Sequence, residues 1–229
     1  MKRIRWHEAN WKASLRSVAS SLRHHAFAPS SDDGFLVQRA REDYIEATHI
    51  ERVVWEETEL DPFDNESTFV RTSYRKTNFR LSPSFPQLEI RDPPRSLNLF
   101  FTRLSEAMAF DLSIEPLVVD LSSWLARLEE VVVEPLVIDA LHVGNLQVER
   151  GVNASVLLRG DHDVRSAMAK LTKQKPCVID RMQLRLPIAS GGVTSALIHR
   201  SGGVTFGAGG AEEALTLLRV SFAKAFNGR

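Results

Sequence analysis

The residues best suited to chemistry stand in one short run, Asp161-His162-Asp163, with Asp180 further along the chain. Three carboxylates and an imidazole are suitable donors for a divalent cation, and Mg²⁺ held among Asp161, Asp163 and Asp180 could cleave a phosphoester. The same run directly precedes a helical pattern. There Asp and His are ordinary caps, since their side chains accept from the unpaired N–H groups of a first turn or complement its dipole. Capping is therefore the expected role, and no metal ligand is assigned.

A second trace is Phe206-Gly207-Ala208-Gly209-Gly210-Ala211-Glu212, where a strand meets a helix and bare backbone N–H groups could face a phosphate. A dinucleotide fold would need a further parallel strand and an acidic residue about twenty positions on. The sequence has no room for both, so a plain strand-to-helix turn is expected. Cys177 opens the apolar run Cys-Val-Ile and reads as an inert core thiol. His142 and His199 sit inside apolar strand runs, where a sheet histidine is expected before a general base.

The sharp catalytic signatures fail one by one. No Gly-Lys pair exists, which removes the phosphate-binding loop with its lysine, and neither His-Glu-x-x-His nor Gly-x-Ser-x-Gly occurs. No lysine has Asp or Glu two positions before it, so a common nuclease signature is missing too. No motif implies a cofactor, and no catalytic residue is assigned.

Composition excludes other classes. With one cysteine in 229 residues there can be no intramolecular disulfide and no Cys-rich zinc site, which fits a reducing compartment such as the cytoplasm. No apolar run approaches the length of a membrane helix, so no membrane partner is expected. Twenty-nine basic and twenty-nine acidic residues leave no global field to attract nucleic acid. The charge is nevertheless segregated. Residues 29–66 hold three basic against twelve acidic residues, and 67–109 hold seven against three. Glu56, Glu57, Glu59, Asp61, Asp64 and Glu66 thus precede a strand carrying Arg71, Arg75, Lys76 and Arg80. A hairpin would set opposite charges across from each other. Alternation puts Arg71 and Arg75 on one face, with Tyr74, Lys76 and Arg80 on the other.

The elements that must position these residues follow from periodicity. Trp11, Leu15, Val18 and Leu22 predict an amphipathic helix over 8–27. Strands are predicted at 35–40, 44–60, 68–81 and 87–91, then a helix capped by Ser96, a strand over 114–120 and a short helix opened by Ser122 or Ser123. Further strands are expected at 136–143 and 146–150 around Gly144-Asn145, then 152–158, with a helix over 163–174. Strands at 177–188, 193–200 and 204–207 follow, and Leu215, Leu218, Phe222 and Phe226 mark a last helix over 211–226. The repeat Ser190-Gly-Gly-Val-Thr194 and Ser201-Gly-Gly-Val-Thr205 reads as two like turns of a β-meander.

The pattern predicts an α+β fold with antiparallel sheets each covered on one face by helices, in two lobes of similar make, 1–130 and 131–229. The expected function is that of a non-enzymatic binding or assembly subunit acting through a protein partner or a second copy, with nucleic acid as a further partner class. Its expected contact residues are Arg71, Arg75, Lys76, Arg80, Lys173 and Lys175, with Trp6 and Trp11 as apolar anchors. The alternative is a carboxylate- and metal-dependent enzyme that cleaves phosphoesters without a recognisable motif.

Overall fold

Serine at position 14 decides how the chain begins. Its Oγ accepts from the backbone N–H of Ser17 at 3.2 Å and starts a helix, α1 (Leu15–His24), four residues after a strand, β1 (Lys2–Trp11), has ended. The helix expected over 8–27 is therefore shorter, and both Trp6 and Trp11 belong to the strand. Arg3, Ile4, Arg5 and Trp6 alternate exposed and buried, a period of two that the helical spacing of Trp11, Leu15 and Val18 masked.

The computed structural model describes residues 2–60, 62–173, 175–188, 191–207 and 209–226; Asp61, Ser190 and the Phe226 side chain lie outside what is described. After α1 come β2 (Asp33–Ala40), β3 (Ile45–Leu60), β4 (Glu66–Leu81), β5 (Leu88–Arg91), α2 (Asn98–Ala107), β6 (Leu112–Glu115) and α3 (Leu121–Glu129). The later elements are β7 (Val137–Glu149), β8 (Val152–Arg159), α4 (Arg165–Thr172), β9 (Val178–Ile188), β10 (Gly192–His199), β11 (Gly203–Phe206) and α5 (Ala211–Phe226). The strand ladders are antiparallel and the class is α+β. Among the described residues no helix is long and apolar enough to cross a membrane.

The chain divides into two units, 10–83 with 90–113 and 1–9 with 84–89 and 114–229. In the first, here the hairpin unit, β3 pairs with β4 without interruption from Ile45↔Leu81 to Leu60↔Glu66, while β2 joins β3 only between Ala40↔Ile45 and Asp33↔Glu51. Phe35 and Phe79 meet edge to face with ring centroids 6.0 Å apart, and Phe100 of α2 lies 5.0 Å from Phe79. Val18 and Leu22 of α1 are also buried.

Gly34 fits this unit because Phe27 donates to the Phe35 carbonyl at 3.0 Å and Phe35 donates to that of His25 at 2.9 Å. Those bonds draw two backbones together, so that a Cβ at position 34 would lie 2.6 Å from the Phe27 Cα. Backbone cannot swing aside like a side-chain tip. Gly34→Ala is expected to lower stability by about 1–3 kcal/mol, read as an earlier urea midpoint, and an unchanged midpoint would show that the segment moves freely.

The second, meander unit has the strand order β1, β11, β10, β9, β7, β8. Ile4, Val204, Ile198, Met182 and Leu141 form one buried row across five strands. They share a core with Trp124 of α3 and Leu215, Leu218 and Phe222 of α5. Trp124 Nε1 donates to Ser221 Oγ at 3.0 Å, which satisfies the polar edge of a fully buried indole.

Three expectations need correction here. The two strands expected around Gly144-Asn145 are one strand, β7: both parts pair with β8, and the positive φ of Asn145 (51°) is absorbed by a shift in register instead of a hairpin. The strand over 114–120 stops at Glu115, and Asp120, not Ser122 or Ser123, caps α3 by accepting from the Ser122 N–H at 3.0 Å. The hairpin unit holds a three-strand ladder built round one long hairpin, and the meander unit a six-strand order.

Candidate interface on the long hairpin

Beyond Glu51, β3 has left β2, and it continues with β4 alone for nine further residue pairs, from Arg52↔Tyr74 to Leu60↔Glu66. At about 3.3 Å per residue this arm is roughly 30 Å long. Every described residue in 54–60 and 62–76 is exposed, 22 in all, which is the number one side of a standard protein interface uses (about 20–30).

Cross-strand pairing sorts the arm into two faces. One carries Trp55 opposite Arg71 and Phe69 opposite Glu57; the other carries Val54, Leu60, Val70 and Tyr74, with Glu56 and Glu66 among them. Val70 is 68% and Leu60 64% exposed, so these apolar groups are not the rim of a core. Exposed β-branched and aromatic side chains are what hold an isolated ladder together, and also what a partner would cover.

The base of the arm is fixed. Arg52 donates through Nη2 to the carbonyl oxygens of Pro29 and Ser31, the latter at 2.7 Å, and Tyr74 meets Phe27 edge to face at 5.9 Å. Arg75 pairs with Glu51 at 2.8 Å.

Of the contact residues expected from sequence, Arg71 lies on this arm and Arg75 and Lys76 at its base, and neither arginine is a free cation. Arg71 donates from Nε to Glu57 at 2.8 Å and lies 3.7 Å from Glu59, so its charge is spent within the ladder. Arg80 packs over Tyr44, 3.9 Å from its ring centroid, whereas Lys76 is exposed. Lys173 closes α4 in a left-handed conformation (φ 47°), and Lys175 donates to the carbonyls of Gln147 and Val148, both at 3.3 Å. Trp6 is 0% exposed and donates to Glu89 at 3.1 Å, which removes it as a surface anchor; Trp11 is half-buried.

The carboxylates of the alternative reading do not converge. Asp161 is held by the hydrogen bond from His162, which lowers its pKa, and Asp163 by Arg165. Burial opposes ionisation of Asp163, but the hydrogen bonds from Arg165 outweigh it and hold the carboxyl below the usual range. Asp180 faces His142, with Oδ2 3.4 Å from Nδ1. Among the described residues no three His, Cys, Asp or Glu side chains are grouped to hold a metal ion.

Sequence reading missed the apolar part of the arm, namely Val54, Trp55, Leu60, Phe69 and Val70. The available signal was length: two sixteen-residue strands need about 50 Å of neighbouring structure to be covered, and among the described residues their partner strands are the eight-residue β2 and the four-residue β5. The chain matches no protein-family model, and none of the curated proteins is significantly similar to it.

Proposed function

We propose that this chain is a non-enzymatic binding or assembly subunit whose hairpin arm is seated in a protein partner. The observation that carries this reading is the arm itself, nine registered pairs with large apolar side chains on both faces and a base tied down by Arg52. A two-stranded ladder is marginal alone in water, and one of this length gains most when a partner covers it. Ion pairs between Arg71 and Glu57 and between Arg75 and Glu51 hold register while leaving the apolar rows to the partner.

The test is to excise residues 54–72 and join Val53 to Ser73 through Asn-Gly, a pair that favours a two-residue hairpin turn. Because the arm packs on little of its own unit, the truncated chain is expected to keep its urea midpoint within about 0.5 kcal/mol. Sedimentation velocity then compares it with the full chain. A dimer that becomes a monomer on truncation identifies the partner as a second copy. If both forms are monomers, cross-linking from a photoreactive residue at position 55 in a native extract should yield one discrete adduct, abolished by Val70→Asp. Absence of both results would overturn the reading.

A further inference from the structure

The meander unit has a second face. Opposite the buried row, successive strands bring Arg5, Gly203, His199, Arg181, His142 and Leu157 into one line, through the pairs Arg5↔Gly203, His199↔Arg181, Arg181↔His142 and His142↔Leu157. Gly203 closes the line, since a Cβ there would touch the His199 Cβ at 3.7 Å. The next line on this face runs Arg3, Thr205, Leu197, Gln183, Ala140 and Arg159, and a third holds Ser195, Arg185 and Val137. Arg3, Arg5, Arg159, Arg181 and Arg185 are all exposed.

No carboxylate stands in these lines. The two nearest in sequence sit at register shifts, where Asp139 pairs with Arg185 at 3.2 Å and Asp180 faces His142. Among the described residues Arg5, Arg159 and Arg181 make no ion pair. Five guanidinium groups thus spread over six strands, roughly 24 Å at about 4.8 Å per strand, with small residues between them.

From this we infer that the open face of the meander sheet binds single-stranded nucleic acid. Charge complementarity selects a polyanion, and the flat groups select its kind. Imidazole rings and guanidinium planes are surfaces on which unpaired bases stack, and Arg181 stands between two imidazoles. Gly203, Thr205 and Ser195 let a planar ring come close to the sheet. A broad six-strand face does not fit a duplex major groove about 12 Å wide, which favours a single strand over groove readout. Beside His199 of the first line an open cavity of about 370 Å³ is lined by Leu117, Val118, Asp180, His199, Arg200 and Ser201. It has room for one base, whose exocyclic amino group Asp180 can accept from and whose carbonyl Arg200 can donate to.

The face and the arm use different residues, so the failure of one leaves the other standing. The test measures fluorescence anisotropy of labelled 20-nucleotide single strands, RNA and DNA, and of a 20-base-pair duplex against the full chain at low and physiological salt. Saturable, salt-sensitive binding that favours the single strand is expected. Arg5→Glu and Arg181→Glu should each weaken it about tenfold or more and reduce its salt slope, while Arg71→Glu on the arm leaves it unchanged. Lack of saturable binding at low salt would overturn the inference, as would a duplex bound as tightly as the single strand. So would full binding by the Arg5→Glu, Arg181→Glu double variant with an unaltered melting temperature. If that variant instead turns a dimer into a monomer while no oligonucleotide binds, the face belongs to a second copy and nucleic acid is refuted.

Discussion

Replacing Arg219 by methionine is expected to cost the meander unit about 3–5 kcal/mol, the range seen when one partner of a buried ion pair is removed. Glu89 is 1% exposed, and its two oxygens accept from Arg219 Nε at 2.6 Å and Nη2 at 2.5 Å; Oε2 also accepts from Trp6 Nε1 at 3.1 Å. Without the guanidinium the carboxylate loses the two charge-assisted hydrogen bonds that offset its burial. The variant should then take up a proton to survive, so its deficit should shrink as pH falls.

A double replacement, Glu89→Gln with Arg219→Met, separates the charge from the packing. If the cost arises from an orphaned charge, the double variant is more stable than Arg219→Met alone, because the amide can still accept from Trp6 without being ionised. Urea unfolding of the four proteins closes the cycle. Additive losses would show that Glu89 and Arg219 are not coupled and that Arg219 matters only through its aliphatic stem.

Neither half of that network was legible in the sequence. Glu89 lies in a short strand and Arg219 in a helix 130 residues later, and no local period says that both turn inward. Trp6 shows the same limit in another form. Next to Arg3 and Arg5 it looks like an exposed anchor on a basic segment, yet alternation along β1 sends the arginines out and Ile4 and Trp6 in. Periodicity was informative where one face is buried along the whole element. Hence α5 runs over Ala211–Phe226 as its stripe predicts, and β3 and β4 lie within two residues of their expected bounds. Where β7 passes through Gly144 and Asn145, turn chemistry and a bulge use the same residues, and only the pairing partners decide between them. The candidate interface was half legible. Arg71 and Arg75 share a face as alternation required, but their partners Glu57 and Glu51 could be read only as members of an acidic block. The open arginine face was not legible, since Arg5, Arg159 and Arg181 come from three distant segments that meet only through the ladders.

Acid should loosen both units well before the carboxylates titrate. His7 is 8% exposed, and burial, helped by the nearby Arg5 charge, lowers its pKa to about 4 from the ordinary 6.5. Burial likewise lowers His49 in the hairpin unit, against the opposing pull of Asp33 and Glu51, and it lowers His199, helped by Arg181. Each of these rings is neutral in the folded chain at pH values where the unfolded chain already binds a proton. Stability therefore rises with pH between about 4 and 6.5 and is fully present above that window. For His7 alone the shift corresponds to about 3 kcal/mol lost on going from pH 7.5 to below 4, of which about 2 kcal/mol is gone by pH 5. Urea midpoints at pH 7.5, 6, 5 and 4.5 should fall steadily, and His7→Gln, which cannot take the proton, should flatten the curve by about that amount. A curve equally steep in His7→Gln would place the acid sensitivity elsewhere, with His49 and His199 the next to replace. A flat curve in the unaltered chain would mean that these rings are solvated by local opening before the fold is lost.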